Sequence, residues 1–189
     1  MAKITSQDID KYLKDIRCAI NLGLYNFDLE ALLERLEKCR IDGGQVVFIG
    51  NGGSAAICSH MALDFTNASG IKAICFNDGP LLTCLANDYG FDNIFSKAIE
   101  MYALKNDILV AISSSGSSAD ILKGVRAARK LGCYVVTLSG FNDDNPLSRM
   151  GDANIHLPIS RPQYGKVEVA HYVILHFIND CLNKQKSRR

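Results

Sequence analysis

The sequence predicts an α/β protein: a three-layer αβα sandwich built on a five-stranded, mainly parallel sheet. Segments with strand and helix character alternate along the chain, which is the order of a parallel sheet with crossover helices. The strand candidates at 46–49, 108–112 and 134–138 are uninterrupted apolar runs, as expected for strands covered on both faces. A length of 189 residues fits a single domain with a sizeable core.

Two amphipathic helices within residues 1–42 are predicted ahead of a core at 43–189. Ser6 is the expected N-cap of a helix over 6–22, whose apolar residues recur at helical spacing. Asp28 is the expected N-cap of the second helix, which ends at Asp42-Gly-Gly44. The two helices could wrap the domain or form a subunit interface, and we favour the interface.

The core is predicted to begin with the first strand and to end with a long helix. The predicted strands cover 45–49, 71–76, 108–112, 134–138 and 153–157. The predicted helices cover 54–65, 81–87, 94–104, 119–131, 147–150 and 167–182. Turn residues mark the intervening loops, which are expected at 66–70, 77–80, 88–92, 139–146 and 160–165.

The overall composition excludes several classes of protein. The formal net charge is +1, so no basic excess indicates binding to nucleic acid. No segment has the roughly 18 uninterrupted apolar residues of a membrane span, and the first residues lack the apolar core of a signal peptide. The seven cysteines are scattered without a Cys-x-x-Cys pair, which disfavours a disulfide framework or a cysteine-based zinc knuckle. We therefore expect a reduced, cytoplasmic protein.

Two strand-to-helix turns are rich in glycine and serine. Gly50-Asn-Gly-Gly-Ser-Ala-Ala56 follows the first strand, and Ser113-Ser-Ser-Gly-Ser-Ser118 follows the third. Ligands of parallel sheets bind beyond the carboxyl ends of the strands, where the N–H groups of a helix start attract anions. Neither turn matches a dinucleotide fingerprint or a Walker loop, so a phosphorylated small molecule is favoured over a nucleotide. The first turn could also be a generic tight turn, and the second a flexible loop.

Two otherwise apolar helices each combine a histidine with a carboxylate. His60 and Asp64 are four residues apart and share a helix face. Glu168 and His176 are eight residues apart on the last helix, which separates them by about 80° around its axis. Two such pairs facing one another would supply two imidazoles and two carboxylates, a plausible ligand set for zinc. Each histidine could instead be an ordinary core or interface residue.

The remaining histidines lie outside this set. His171 points more than a quarter-turn away from His176, so it could support the ligands or simply be buried. His156 lies in the fifth predicted strand, where a structural role is expected.

These motifs together resemble the sugar isomerase (SIS) domain family, and within it the phosphoheptose isomerases. The resemblance rests on Gly50–Ala56 with His60, on the run 82–92, on Ile112–Ser118 and on the histidine-bearing last helix. It implies a flavodoxin-like fold and a homotetramer with active sites between subunits. It also implies isomerisation of sedoheptulose 7-phosphate to D-glycero-D-manno-heptose 7-phosphate, for bacterial surface heptose.

The resemblance also assigns roles to individual residues. It implies that phosphate is bound by four serines, with a fifth lining the loop: Ser54, Ser113, Ser115 and Ser118, and Ser114. Asn51 and Asp88 would contact sugar hydroxyls, while Gly52 and Gly53 allow close approach of the backbone. One zinc ion per site would be held by His60, Asp64, Glu168 and His176.

The chain departs from the family pattern at several of these positions. Asp64 stands where the family has glutamate, and Glu168 stands where it has glutamine. Ala68 replaces an arginine, and Tyr164-Gly-Lys-Val-Glu168 replaces a Thr-x-Arg-Ile-Gln pattern. The Asp64 side chain is shorter than glutamate by one carbon–carbon bond of about 1.5 Å, and Glu168 adds a charge.

The expected reaction is an aldose–ketose isomerisation through an enediol. Asp64 would abstract the proton next to the carbonyl, and His176 would protonate the neighbouring carbon or oxygen. Two non-catalytic readings stay open: a protein-binding SIS protein of the replication-initiator-associating type, and a sugar-phosphate sensor. The initiator-associating relative lacks a carboxylate at position 64 and a histidine at position 176, so both residues favour the enzyme.

Overall fold

The computed structural model describes residues 5–186, which form an open, fully parallel five-stranded sheet with helices on both faces. The strands are β1 (Gln45–Gly50), β2 (Lys72–Cys75), β3 (Ile108–Ser113), β4 (Tyr134–Gly140) and β5 (Ala153–Leu157). Their order across the sheet is β2-β1-β3-β4-β5. The strand order therefore reverses between β1 and β3, and this switch point is where doubly wound sheets open a ligand crevice.

Seven α-helices surround the sheet in the described part of the chain. They are α1 (Ser6–Leu24), α2 (Leu29–Ile41), α3 (Gly52–Asp64), α4 (Gly79–Tyr89), α5 (Ile94–Tyr102), α6 (Ala119–Leu131) and α7 (Tyr164–Lys186). Short 3-10 turns cover Phe91–Asn93 and Pro146–Arg149. The predicted αβα sandwich is confirmed, with a sheet that is parallel throughout.

The buried side chains form one core on each face of the sheet. Helices α1, α2, α3 and α7 pack on one face, where Phe48 and Ile112 belong to their core. Helices α4, α5 and α6 pack on the other face, where Ile49 and Ala111 belong to theirs. Successive residues of β1 and β3 thus point into opposite cores, which explains why these strands are continuous apolar runs.

The N-terminal helices have inner and outer apolar surfaces. Ile16 and Leu36 are buried in the same core as α7, so α1 and α2 wrap the domain in the single chain. Ile9 and Leu13, which share the predicted stripe of α1, are exposed to 62% and 58%. The inner surface is accounted for by the fold, and the outer one is available to another chain.

Several element boundaries differ from the prediction. The predicted loop at 66–70 is instead a π-helical turn, Phe65–Ser69, that continues α3. Helix α7 holds this turn in place, because the buried Ser69 hydroxyl donates to Asn179 Oδ1 of α7 at 2.6 Å. Helix α4 starts earlier than predicted because Asp78 caps it, and Pro80 is tolerated in its first turn.

The N-cap of the first helix was also predicted wrongly. Thr5, rather than Ser6, forms a capping box with Asp8. Ser6 is the first helical residue. Other ends differ by a few residues: α5 stops at Tyr102, β4 continues to Gly140, and α7 begins at Tyr164. No helix in residues 5–186 combines the length and the apolar character needed to cross a membrane.

Candidate active site

A cavity of about 310 Å³ opens at the carboxyl ends of β1 and β3, at the switch point of the sheet. Both small-residue turns line it. Its lining residues are Asn51, Gly52, Gly53, Ser54, Ile112, Ser113, Ser114, Ser115, Ser118, Tyr164 and Glu168. This lining carries amides, hydroxyls and one carboxylate, with no lysine or arginine among its residues.

The two helices that start at this cavity are not capped by their own N-cap side chains. Asn51, the N-cap of α3, donates its Nδ2 to Asp120 at 2.7 Å instead. The Ser118 hydroxyl, at the N-cap of α6, lies 3.2 Å from the Ser113 hydroxyl. Helix α4, by contrast, is capped by its Asp78 side chain. The first-turn N–H groups of α3 and α6 therefore stay without a side-chain cap, and an anionic ligand would satisfy them.

The serine turn holds its shape through contacts behind the cavity. Gly116 has a left-handed backbone, with φ of 62°, and the side chain of the buried Asn145 occupies the place where a Cβ would stand. Asn145 Nδ2 donates to the carbonyl of Asn142 at 2.6 Å. The N–H of Leu147 donates to the Gly116 carbonyl at 3.0 Å. These contacts aim the hydroxyls of the turn into the cavity.

Three side chains with metal-ligating atoms meet beside the serine-lined cavity. Asp64 Oδ2 lies 3.1 Å from His60 Nε2 and 3.6 Å from His176 Nδ1. The ligand atoms of these three residues all lie within 4.8 Å of one another. Zinc holds nitrogen and oxygen ligands at about 2.0–2.2 Å, which separates the ligands by about 3.4 Å. The three residues therefore fit a zinc ion after small side-chain movements.

Tyr172 borders this three-residue cluster. Its ring centroid lies 4.5 Å from that of His176 and 5.4 Å from that of His60. Burial raises the pKa of the Tyr172 phenol, and the negative charge of Asp64 raises it further. Tyr172 thus stays protonated near pH 7, with its ring packed against both imidazoles.

Glu168 is not part of the three-residue cluster within one chain. Its carboxylate lies directly against Gly53, where any Cβ would collide with it. Glu168 also lines a second cavity of about 400 Å³ that includes His60 and Tyr172. The Glu168 side chain therefore lies between the serine-lined cavity and the histidines. Because a Cβ at position 53 would collide with it, Gly53 is needed for the close approach of α7 to α3.

Asp88 lies away from the cavity of its own chain. Its carboxylate accepts from Asn87 Nδ2 at 2.9 Å and contacts the Cys84 thiol, both within α4. This contact raises the pKa of the Cys84 thiol. The structure thus brings the sequence-predicted residues of the two turns together in one cavity. Of the four predicted zinc ligands, His60, Asp64 and His176 form a cluster, and Glu168 lies between this cluster and the cavity. Asp88 lies apart from both.

The two remaining histidines are structural neighbours of the site. His171 is fully buried, and its Nε2 donates to the Ser139 carbonyl at 3.1 Å. Burial lowers its pKa to about 4. Burial also lowers the pKa of His156, whose Nδ1 lies 3.1 Å from the Ser139 hydroxyl. Both imidazoles are therefore neutral near pH 7.

Several residues of the site gave little signal in the sequence. The sequence analysis assigned no role to Asp120 or Tyr172, and Asn145 fell within the loop predicted at 139–146. Their roles depend on contacts between elements far apart in the chain. Only the small residues and the histidine–carboxylate spacing could be recognised locally.

Fold and site together define a class: doubly wound α/β proteins with a glycine- and serine-lined cavity at the sheet's switch point. A model of the SIS domain matches residues 26–140. A curated phosphoheptose isomerase of Neisseria gonorrhoeae is 31% identical over 156 residues, covering 79% of each chain. One of Helicobacter hepaticus is 35% identical over 150 residues, covering 76% of this chain and 75% of the relative.

Solved structures give the same result. The phosphoheptose isomerase of Neisseria gonorrhoeae superposes with a TM-score of 0.80 and 27% identity, over 93% of this chain and 98% of the other. That of Francisella tularensis superposes with a TM-score of 0.81 and 27% identity, over 96% and 100%. The chain belongs to the SIS domain family, in its phosphoheptose isomerase group.

Proposed function

We propose that the protein isomerises sedoheptulose 7-phosphate to D-glycero-D-manno-heptose 7-phosphate, for bacterial surface heptose biosynthesis. One observation carries the proposal: a serine-lined anion cavity and the His60–Asp64–His176 cluster adjoin, with Glu168 between them. A phosphosugar can place its phosphate in the serine-lined cavity and its reacting carbons beside the His60–Asp64–His176 cluster. The named activities of the relatives, which are phosphoheptose isomerases, support this choice.

The phosphate would bind at the two helix starts. Hydroxyls of Ser54, Ser113, Ser115 and Ser118 and the first-turn N–H groups of α3 and α6 would donate to its oxygens. Asn51 would contact a sugar hydroxyl. Holding this end fixed orients the reacting carbons, so that binding energy remote from the reaction lowers its barrier.

The reaction moves one proton between adjacent carbons. Asp64 would take the proton from the hydroxyl-bearing carbon beside the ketone, which leaves an enediolate. His176 would protonate the former carbonyl oxygen and take up the proton that the first carbon's hydroxyl loses as the aldehyde forms. Asp64 would return its proton to the former carbonyl carbon, which completes the aldose. Asp64 Oδ2 and His176 Nδ1 lie 3.6 Å apart, so both groups can reach the same pair of carbons.

A zinc ion fits the side chains of this cluster. His60, Asp64 and His176 would hold it, and Glu168 would become a fourth ligand if its side chain turned from Gly53 toward His60. When bound, such an ion stabilises the charge on the oxygens of an enediolate. The second oxygen of the Asp64 carboxylate would remain the base.

The assembly is proposed to be a homotetramer in the cytoplasm, with active sites between subunits. His60 and His176 are partly open to solvent, at 46% and 40% of their side-chain surface, so a neighbouring chain has access to the cluster. Asp88, remote from its own cavity, would contact the sugar at a neighbouring subunit's site.

Asp64→Asn tests the reaction directly. We expect at least a thousandfold loss of turnover with sedoheptulose 7-phosphate, because the amide cannot accept the proton. Phosphate affinity should change less than about threefold, since the serine turns are untouched. NMR in deuterium oxide would follow incorporation of solvent deuterium, and metal analysis would measure zinc. Asp10→Asn, on exposed α1, is the matched control.

The result also separates the rival functions. Unchanged turnover in Asp64→Asn contradicts the assignment of the base. Phosphosugar binding without turnover or zinc in the unaltered protein would identify a sensor. Absence of both binding and turnover would favour a protein-binding SIS protein.

A further inference from the structure

Asp120 is a buried carboxylate at the edge of the ligand cavity that the reaction does not use. It lies in the first turn of α6 and is only 4% exposed. Its Oδ2 accepts a hydrogen bond from Asn51 Nδ2 at 2.7 Å. This bond joins the starts of α3 and α6, which pack on opposite faces of the sheet.

Asn51 occupies a position where its side chain would normally cap α3. Its φ and ψ of -108° and 153° are those of an N-cap residue, and asparagine is among the preferred N-caps. In that role the side-chain oxygen accepts from the N–H of the second or third helical residue, here Gly53 or Ser54. The capping bond is not made, and the amide is donated to Asp120 instead.

We propose that Asp120 is a positioning residue that keeps the start of α3 open for the phosphate. By binding the Asn51 amide, it prevents Asn51 from satisfying the N–H groups that the ligand needs. The inference rests on the proposed phosphate site and adds the residue that keeps this site available.

The same hydrogen bond also orients the Asn51 amide. An ionised carboxylate only accepts, so Asn51 must present its nitrogen to Asp120. The Asn51 Oδ1 is then the atom left for the cavity, where it can accept from a sugar hydroxyl. The helix dipole of α6 stabilises the Asp120 charge in its first turn, which offsets part of the cost of burying it.

Binding of inorganic phosphate, measured by titration calorimetry, tests the proposal. In Asp120→Ala the Asn51 side chain is released to cap α3, so we expect phosphate affinity to fall about tenfold, as for loss of one charge-assisted bond. Asp120→Asn still offers an oxygen to the Asn51 amide, so its affinity should stay within about threefold of the unaltered protein. If the alanine variant fails to fold, Asp120→Ser, whose hydroxyl ends one bond nearer the backbone, gives the same expected loss.

A double substitution distinguishes positioning from a merely structural role. Asn51→Gly removes the competing cap, and glycine is tolerated at an N-cap. In the Asn51→Gly background, Asp120→Ala should therefore change phosphate affinity by less than about twofold. The proposal is overturned if Asp120→Ala binds phosphate as well as the unaltered protein, or if its loss persists in the Asn51→Gly background. Failure of the unaltered protein to bind phosphate would instead overturn the proposed phosphate site, and this inference with it.

Discussion

At the scale of single residues, the last helix carries a histidine that never meets the ligand cavity yet links stability to pH. His171 is fully buried and donates to the Ser139 carbonyl. A carbonyl only accepts, so the proton of the neutral imidazole lies on Nε2. Its Nδ1 is buried without a hydrogen-bond partner among the described residues, and protonation there would place an unpaired charge in the core.

Stability should therefore fall as the pH drops below about 6.5. His171 has a pKa of about 4 in the folded protein against an ordinary value of 6.5, so the unfolded chain takes up the proton first. Above pH 6.5 the depressed pKa hardly changes the free energy of unfolding. It lowers the free energy of unfolding by about 2 kcal/mol at pH 5 and by about 3 kcal/mol at pH 4. Urea unfolding between pH 7 and pH 4 would measure this loss.

His171→Gln is the control, because glutamine keeps a donor but cannot titrate. The variant should be less stable at pH 7 and show a flatter decline toward pH 5. Equal slopes in the two proteins would show that another group causes the acid sensitivity. His156, whose pKa is also lowered by burial, would be the next to replace.

At the scale of elements, the serine turn between β3 and α6 is a rigid part of the fold rather than a flexible loop. Its left-handed Gly116 packs against Asn145, and Asn145 in turn is held by the loop that follows β4. The shape of the serine-lined cavity is thus set by the loops that follow two neighbouring strands, β3 and β4, and not by the turn alone.

Gly116→Ala should damage both stability and binding. A left-handed alanine costs about 1–2 kcal/mol, and its Cβ would displace the Asn145 side chain. We expect the free energy of unfolding to fall by at least about 2 kcal/mol and phosphate affinity to fall by about tenfold. Chemical unfolding and titration calorimetry would measure the two effects.

Gly79→Ala is the matched control, because a Cβ there meets nothing within 4 Å. It should leave phosphate affinity unchanged and stability within about 0.5 kcal/mol of the original, or slightly improved. If both alanine variants behave alike, the turn is not held in the way described.

The order of strands and helices, the parallel sheet and both turns could be predicted, because period, apolar runs and glycine placement are local signals. The π-helical turn at Phe65–Ser69 could not, since Ser69 is fixed by Asn179, 110 residues later. The same holds for Asp120, whose partner Asn51 is 69 residues away. Local patterns located the cavity, and tertiary contacts decided how its side chains are held.

At the scale of the whole molecule, an apolar stripe on α7 indicates where another chain would pack. Val169, Val173 and Phe177 recur every four residues and are 44%, 48% and 50% exposed. The stripe runs alongside the His60–Asp64–His176 cluster on the same helix as His176. Burial of this stripe between subunits would close the cluster from solvent.

Val173→Glu should therefore disrupt assembly. A charge in an apolar interface is strongly unfavourable, so we expect the protein to sediment as smaller species at micromolar concentration. Isomerase activity should fall by more than tenfold if active sites lie between subunits. Analytical ultracentrifugation and the NMR assay would measure the two outcomes.

Leu104→Glu is the control for this surface. Leu104 is 70% exposed beyond the end of α5, on the opposite layer of the molecule. Its substitution should leave both sedimentation and activity unchanged. If assembly survives Val173→Glu but is lost in Leu104→Glu, the subunit interface lies on the other face of the molecule.

Helix α7 has a further consequence for which sugars can react. Glu168 borders the serine-lined cavity and His176 belongs to the cluster, and the two residues, eight positions apart, are separated by about 12 Å along the helix. His171 and Asn179 tie this helix to β4 and to the π-helical turn, so it cannot slide. We therefore expect the length of chain between phosphate and carbonyl to limit which phosphosugars can react.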